Sequence, residues 1–235
     1  MKLTEQQLFD YIYCPAKFDM KYIKNIDLKD PVTMSNMLKI VSKYFYANLL
    51  NGKICTVNDL KAKWDSVCKA NASYFENNKK VLEGMGLIIN MINWASRNEI
   101  VLLDIDTKYN IVIDDIEFEG NMNPILASNN NKTEILISDF SSKMPDQIVI
   151  DMNLKNTIDA YAYKTLFNKD IDCIRVHNMK NNTDFITMRN KDDYNRLVST
   201  IKGVAAGIKN NVYYPREQIL CTSCNARQYC KYWNK

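Results

Sequence analysis

Four cysteines constrain the fold of this chain more than any other feature of its sequence. Cys221 and Cys224 form a Cys-x₂-Cys pair, Cys230 follows after five intervening residues, and Cys14 lies just before Pro15. A Cys-x₂-Cys pair places two thiolates on one tight turn, which is typical of half a metal chelate. Four thiolates suit either a tetrahedral zinc ion or a 4Fe–4S cluster. The residues alone leave both metals open, together with a set of reduced, unliganded thiols.

The other cysteines indicate a reducing compartment. The total of seven is odd, which argues against a disulfide framework. Cys55, Cys68 and Cys173 stand alone among apolar or helical neighbours, so we expect them to be buried free thiols.

No apolar run reaches the roughly 18 residues that span a bilayer, and the first residues lack the layout of a signal peptide. We therefore expect a cytoplasmic protein without a membrane partner. The abundance of Asn, Lys and Ile is typical of an AT-rich genome, either bacterial or that of a virus in an infected host cell.

Basic residues are concentrated in residues 201–235. This segment contains six basic residues and one acidic residue, whereas the whole chain has a formal net charge of +4. Such an excess favours a polyanionic partner, because neutralising phosphates releases counterions. The alternative is a basic segment that is only solvated and binds no polyanion, since it would have the same composition. Aromatic residues in the same segment offer either stacking surfaces for single strands or packing over a metal site. The candidate nucleic-acid contacts are Lys143, Arg216, Arg227, Lys231 and Trp233.

Hydrophobic periodicity predicts helices first and strands later. Thr4 as N-cap and Gln7 as its capping-box partner predict a helix that stops at Cys14-Pro15. Residues 33–97 have a period of 3.6 in three segments, and residues 99–142 alternate as three or four antiparallel strands with a hairpin tip at 128–132. The later expected elements are a helix at 151–168, strands at 171–179 and 183–189, and a helix at 191–210. The expected class is α/β (α+β), with a mixed sheet flanked by helices.

Two motifs resemble a known family. "YIYCPAKFDMKYI" and "YYPREQILCTSCNARQYC" are similar to the two halves of the iron–sulfur site of RecB-like PD-(D/E)XK nucleases, such as the CRISPR-associated adaptation nuclease and the AddB nuclease domain. The resemblance implies a 4Fe–4S cluster rather than zinc. The ligands that it implies are Cys14, Cys221, Cys224 and Cys230.

The same resemblance implies a domain plan. It predicts one restriction-endonuclease-like domain over residues 1–235, with an N-terminal helical subdomain. Its parts are an iron–sulfur subdomain (1–32 and 211–235), a helical insertion (33–98) and a nuclease-like core (99–210).

The family's catalytic pattern is degenerate in this chain. It consists of a helical Gly-x-x-x-His, a metal-binding Asp after Gly-x-Ile, an Asp/Glu-x-Lys strand and a helical Gln-x-x-x-Tyr. The resemblance aligns Ser42 with the histidine, Asn123 with the metal-binding Asp and Ser141 with the lysine. The positions that match the family pattern are Gly120, Asp139 and Tyr163, whereas Asp159 replaces the glutamine.

The substitutions at the metal-binding Asp and at the lysine predict a loss of catalysis. An amide is neutral and binds a hard dication less well than a carboxylate. Loss of the metal carboxylate and of the lysine each removes transition-state stabilisation, so we expect an inactive nuclease centre.

Three functions follow from these features. The leading hypothesis is an inactive RecB-like nuclease-fold iron–sulfur protein that binds nucleic acid, DNA in the first instance, or acts as a scaffold in a protein complex of a virus or of recombination or replication. The first alternative is an active single-stranded DNA exonuclease that uses Asp139, Lys143 and a carboxylate such as Glu119, with Mg²⁺ or Mn²⁺ required only in that case. The second is a zinc-stabilised interaction module. We expect His177 to be a strand residue with a local hydrogen bond.

Overall fold

The chain folds into two compact units. The computed structural model describes residues 1–29, 31–76, 78–127, 132–141 and 143–233. One unit, here called the terminal unit, comprises Met1–Pro31, Lys108–Gly120 and Lys191–Lys235. The other, here called the sheet unit, comprises Val32–Thr107 and Asn121–Asn190. Within the described residues, no helix is both long and apolar enough to cross a membrane.

Apart from β1, α6 and the number of strands after Glu99, the elements follow the order that the periodicity predicts. The helices are α1 (Glu5–Tyr13), α2 (Pro15–Phe18), α3 (Met34–Leu50), α4 (Val57–Ala70), α5 (Asn78–Arg97), α6 (Gln147–Asp151), α7 (Leu154–Phe167) and α8 (Lys191–Lys209). The strands are β1 (Lys2–Thr4), β2 (Val101–Asp104), β3 (Lys108–Ile113), β4 (Ile116–Asn121), β5 (Ile125–Ala127), β6 (Thr133–Asp139), β7 (Cys173–Asn178) and β8 (Thr183–Thr187). A π-helical turn follows α2 at Asp19–Ile23, and short 3₁₀ turns lie at Ala72–Tyr74, Ile219–Ser223 and Arg227–Tyr229.

The sheet unit contains a five-stranded mixed sheet in the order β2-β5-β6-β7-β8. Strands β6 and β7 are parallel, with Ile135 opposite Ile174, and the other neighbouring pairs are antiparallel. A parallel pair needs a crossover connection, which α6 and α7 provide. The predicted α+β class with a mixed sheet flanked by helices is therefore confirmed.

Helices α3, α4 and α5 share one hydrophobic core with this sheet. Leu38, Trp64 and Met91 of the three helices are at most 1% exposed and cluster with Leu136 of β6. The helices begin where the sequence offers caps: the Thr56 hydroxyl accepts from the Asp59 amide at 3.2 Å, and the Asp59 carboxylate accepts from the Thr56 amide at 2.8 Å. The three predicted helical segments are thus confirmed.

The terminal unit contains a three-stranded sheet in the order β1-β4-β3, with α1, α2 and α8. The predicted capping box is confirmed, because the Thr4 hydroxyl accepts from the Gln7 amide at 3.1 Å and the Gln7 side chain accepts from the Thr4 amide at 2.9 Å. The expected run of three or four antiparallel strands after Glu99 is wrong. Five strands form there, and β3 and β4 leave the main sheet because β4 pairs in parallel with β1. Of the predicted hairpin tip at 128–132, residues 128–131 lie outside the described residues.

Two glycines of α8 provide a matched test of the terminal unit. A Cβ at Gly207 would clash with the Tyr11 hydroxyl, whereas a Cβ at Gly203 would meet nothing within 4 Å. We expect Gly207→Ala to lower the free energy of unfolding by about 1–3 kcal/mol through overpacking. Gly203→Ala should raise it by about 0.5–1 kcal/mol, because alanine loses less backbone entropy in a helix. Urea unfolding of both variants measures the difference, and equal effects would contradict the close contact of α1 and α8.

Candidate functional site

The strand order brings the aligned catalytic positions to one edge of the main sheet. Strand β5 is antiparallel to β6, and β6 is parallel to β7, so the residues before β5 lie toward the end of the sheet where β6 and β7 finish. The Leu136 amide donates to the Pro124 carbonyl at 2.8 Å, and Asp139 lies in register with Asn178. We name this group, composed of Asn123, Asp139, Ser141, Asp159 and Asn178, the polar edge.

Asp139 accepts hydrogen bonds from three donors of its own chain at the polar edge. The Ser141 amide lies 2.9 Å from Oδ1, and the Ser141 hydroxyl and the Asn178 side-chain amide lie 2.8 and 2.7 Å from Oδ2. Ser141, which the resemblance aligns with the family's lysine, closes a turn around the carboxylate. Since a carboxylate has about four acceptor positions, little of Asp139 remains for a cation.

Asp159 is engaged in the same way. Its side chain is 0% exposed and is ion-paired to Lys155 at 2.8 Å. The Asn123 side-chain amide donates to the other carboxylate oxygen at 2.7 Å. The two positions that the resemblance aligns with the metal-binding Asp and the glutamine are thus in direct contact. Asn123 acts there as a donor, whereas a metal ligand must offer an oxygen.

The remaining aligned residues have structural contacts. Ser42 of α3 is buried and hydrogen-bonded to Tyr46, whose hydroxyl lies 3.0 Å from the Ser138 hydroxyl. Burial raises the pKa of Tyr46 to about 12, so its hydroxyl stays protonated at neutral pH.

Tyr163 is 7% exposed and its ring lies 4.7 Å from that of Phe167. The side chain of Lys143 is exposed. Glu119 lies on β4 of the terminal unit and pairs with Lys2 at 2.9 Å.

The polar edge contains positions that the resemblance aligns with a nuclease centre, and its carboxylates are engaged by the chain itself. A metal-assisted phosphodiester cleavage needs carboxylate oxygens that are free to bind a dication and a cation near the attacked phosphate. Both carboxylates here accept from chain donors, and Lys155 is paired to one of them. We conclude that Asp139 and Asp159 are each held by hydrogen bonds from the chain itself.

The four candidate metal ligands line one cavity of the terminal unit. Cys14 lies between α1 and α2, and the short turns near residues 219–229 space Cys221, Cys224 and Cys230. The amide of Cys224 donates to the Cys221 carbonyl at 3.4 Å, and the Trp233 amide donates to the Cys230 carbonyl at 3.0 Å. The cavity measures about 40 Å³, more than the roughly 10–15 Å³ that one water needs.

The thiols around this cavity are free and close to Tyr13. Burial raises the pKa of Tyr13, and the neighbouring Cys224, Cys221 and Cys14 raise it further because a thiolate disfavours a nearby phenolate. All four cysteines are unbridged. Among the described residues, no three Cys, His, Asp or Glu side chains form a group that could hold a metal ion.

Hydrogen bonds fix the two sides of this cavity to each other. The Arg216 guanidinium donates to the Ile12 carbonyl at 2.6 Å, and the Gln218 side chain donates to the Tyr13 carbonyl at 3.0 Å. The Ala16 amide donates to the carbonyl of Tyr214 at 3.0 Å. Residues 212–218 therefore lie along the end of α1, which places Cys14 beside the later cysteines.

Most of the predicted nucleic-acid contacts lie around this cavity. Arg216, Arg227 and Trp233 line it, and the Arg227 guanidinium lies 4.7 Å from the Trp233 ring centroid. The Lys231 ammonium lies 5.0 Å from the Tyr232 ring centroid. Trp233 is 40% exposed. Lys143 belongs to the sheet unit instead.

The sequence did not indicate a buried ion network in the sheet unit. Arg175 donates to both oxygens of Glu134, at 2.7 and 3.1 Å, and to Asp184 at 2.8 Å. His177 is fully buried, and its Nδ1 lies 2.6 Å from Asp184 Oδ1. Burial would raise the pKa of Asp184, but the hydrogen bonds from His177 and Arg175 outweigh it and the pKa is lowered. The expected local hydrogen bond of His177 is present. Arg175 and His177 lie two residues apart, which places both side chains on one face of the strand. This spacing is the signal in the sequence from which the network could have been predicted.

The three remaining cysteines differ in burial. Cys173 is 8% exposed, as expected for a buried free thiol, and burial raises its pKa to about 11. Cys55 and Cys68 are only half-buried against the helical core, so the prediction of full burial is wrong for them. Burial nevertheless raises the pKa of both thiols. All three are poor nucleophiles at neutral pH.

Comparisons with known proteins show similarity of fold. No protein-family model and no curated protein matches this chain. A solved structure named as a candidate exonuclease, from Eubacterium rectale, aligns with 98% of this chain and 89% of its own, with a TM-score of 0.59 and 9% identity. A second, named SSO0001, aligns with 98% of this chain and 97% of its own, with a TM-score of 0.40 and 11% identity. The first comparison confirms the nuclease-like fold, and the second is too distant to support a conclusion.

Proposed function

We propose that this chain is a catalytically inactive, RecB-like nuclease-fold protein that binds nucleic acid, and that its terminal unit carries a 4Fe–4S cluster. In this role it serves as a DNA-binding or scaffolding subunit of a larger complex. The observation that carries the proposal is the polar edge, where both carboxylates are engaged by donors of the chain itself.

The loss of catalysis has a simple physical reason. Restoring a metal site would require Asp139 to give up three hydrogen bonds and Asp159 to give up a buried ion pair. Each such contact to a charged group contributes about 1.5–3 kcal/mol. A dication would have to offset these losses while it gained only the neutral amide oxygen of Asn123. The network is therefore the stable state of this edge.

The shared cavity supports the cluster proposal. Cys14, Cys221, Cys224 and Cys230 would hold the cluster, which is the donor set that a 4Fe–4S cluster takes. Among the described residues no three such side chains form a group that could hold a metal ion, so both the bound group and the choice of cluster over zinc rest on the resemblance. When bound, such a group supplies a cross-link between α1 and the residues after α8, which stabilises the fold by closing a long loop.

The surface around the cavity supports nucleic-acid binding. Arg227 and Lys231 combine positive charge with the exposed rings of Trp233 and Tyr232. Grooves for single strands use the same combination of basic side chains along the backbone and aromatic rings under the bases. Residues 201–235 also hold the chain's excess of positive charge. A single-stranded ligand therefore suits this surface better than a duplex.

Binding of a labelled single-stranded DNA in increasing salt tests the proposal. With about four phosphates neutralised, log K should fall against log[salt] with a slope of about −3. Lys231→Ala should reduce the slope by about 0.7, and Trp233→Ala should weaken binding by about 1–3 kcal/mol through lost stacking. Lys61→Ala, at an exposed position of α4, is the matched control and should change neither quantity. Binding that does not respond to salt would contradict the proposed surface.

A further inference from the structure

Two adjacent aliphatic residues of the terminal unit are exposed to solvent. Ile219 is 89% exposed and Leu220 is 51% exposed, and both belong to the 3₁₀ turn Ile219–Ser223. Their neighbours Gln218 and Cys221 line the cysteine cavity. Isolated exposed aliphatic residues need no explanation, whereas contiguous apolar surface with a polar rim marks a site of interaction. We name Ile219 and Leu220 together the apolar turn.

Hydrogen bonds fix the backbone of the apolar turn. The Cys221 amide donates to the Gln218 carbonyl, and the Thr222 hydroxyl donates to the Ile219 carbonyl, each at 2.9 Å. The Gln218 side chain donates to the Tyr13 carbonyl at 3.0 Å, which ties the turn to the end of α1. The aliphatic side chains are therefore presented on an ordered backbone. Because this order exists before binding, a ligand loses little affinity in creating it.

Basic groups flank the apolar turn. The Arg227 guanidinium donates to the Thr222 carbonyl at 3.2 Å, so a positive charge lies at the turn itself. Arg216 lies three residues before Ile219. Residues 201–235 contain six basic residues against the single acidic residue Glu217. This charge complements a polyanion, and a nucleic acid is a polyanion that also offers the faces of its bases to apolar side chains.

The apolar turn is continuous with the surface proposed for single strands. Arg227 reaches from the turn to Trp233, whose ring centroid lies 4.7 Å from the guanidinium. Exposed aromatic rings hold unstacked bases, whereas aliphatic side chains such as Ile and Leu act as wedges against stacked base pairs. An aliphatic wedge beside an aromatic ring therefore combines the two contacts that meet where a single strand leaves a duplex.

We propose that Ile219 and Leu220 form a wedge that packs against the last base pair of a duplex. The strand that leaves this duplex continues over Trp233 as a single strand. The preferred ligand of the surface is then a DNA with a junction between duplex and single strand, rather than a single strand alone. This role rests on the proposed function, because it requires that the surface around the cysteine cavity binds nucleic acid.

Fluorescence anisotropy of the full-length protein with three labelled DNAs tests the wedge. The DNAs are a single strand, a blunt duplex, and the same duplex with that single strand as a tail. The tailed duplex should bind roughly tenfold more tightly than the single strand, because the two aliphatic side chains become buried only at the junction. Combining Ile219→Ser with Leu220→Ser should remove this preference and leave the affinity for the single strand unchanged. Trp233→Ala should weaken the binding of both DNAs.

Ile54→Ser is the matched control, since Ile54 is 92% exposed and belongs to the sheet unit. It should change no affinity. The double variant should keep the wild-type melting temperature, because both side chains are exposed in the free protein. A tailed duplex that binds no more tightly than the single strand would overturn the wedge and leave the proposed function intact, as would a preference that persists in the double variant. Binding of none of the three DNAs would overturn the proposed function as well.

Discussion

Replacing Cys14 by alanine is expected to remove essentially all iron from protein purified without oxygen and to loosen residues 11–16 and 212–218 together. Cys14 is the only proposed ligand outside residues 221–230, so its loss opens the cross-link between the two segments. Three remaining thiolates cannot close a four-iron site from the protein alone. If the cross-link contributes about 3 kcal/mol, the melting temperature should fall by roughly 6–12 °C.

Iron analysis, the visible absorption spectrum and hydrogen exchange measure this effect. Cys55→Ala is the matched control, since Cys55 is a half-buried thiol of the sheet unit outside the cysteine cavity. It should retain wild-type iron content and wild-type exchange in both segments. A colourless wild-type protein with stoichiometric zinc would contradict the cluster and favour the zinc-stabilised module. Full iron content in the Cys14→Ala variant would exclude Cys14 as a ligand.

Arg175→Met is expected to lower the free energy of unfolding of the sheet unit by about 3–5 kcal/mol, the usual cost of removing one partner from a buried ion pair. Glu134 has a side chain that is 5% exposed and both of its oxygens accept from Arg175. The hydrogen bond to Glu134 also raises the pKa of Arg175, so the guanidinium stays charged at any working pH. Removing it leaves a buried carboxylate without its counter-ion.

Urea unfolding followed by tryptophan fluorescence measures this loss, because Trp64 and Trp94 both belong to the sheet unit. Lys164→Met breaks the pair with Asp170, whose side chains are 45% and 59% exposed. Such exposed pairs contribute at most about 1 kcal/mol, so this control should be nearly neutral. Adding Glu134→Leu to Arg175→Met should recover part of the loss by removing the unpaired charge. Equal effects of the two single variants would contradict a buried network.

The helices could be predicted from the sequence because their signals are local. Thr4 and Gln7 close a capping box within one turn, and α3, α4 and α5 follow a 3.6-residue period that faces the core. The division of the strands could not be predicted in this way. Strand β4 pairs with β1, with Phe118 opposite Leu3, and a contact between residues so far apart leaves no periodic signal in either segment.

The two candidate sites differed in how far the sequence could specify them. Cys14 and the later cysteines were identified by residue type and by a family resemblance, and the structure places all four on one cavity. The resemblance also identified Asn123 and Asp159 but not their contact, because a hydrogen bond between β5 and α7 depends on packing. Trp94 looks like an ordinary core residue in the sequence, so its stacking on His177 required the fold.

Cleavage of end-labelled single-stranded DNA by the purified wild-type protein, with Mg²⁺ or Mn²⁺, tests most directly the claim that the polar edge is inactive. Because Asp139 and Asp159 are both engaged by chain donors, we expect binding without cleavage, and no change in product on Asp139→Ala. Metal-dependent cleavage that Asp139→Ala abolishes would show instead that this edge is the centre of an active exonuclease.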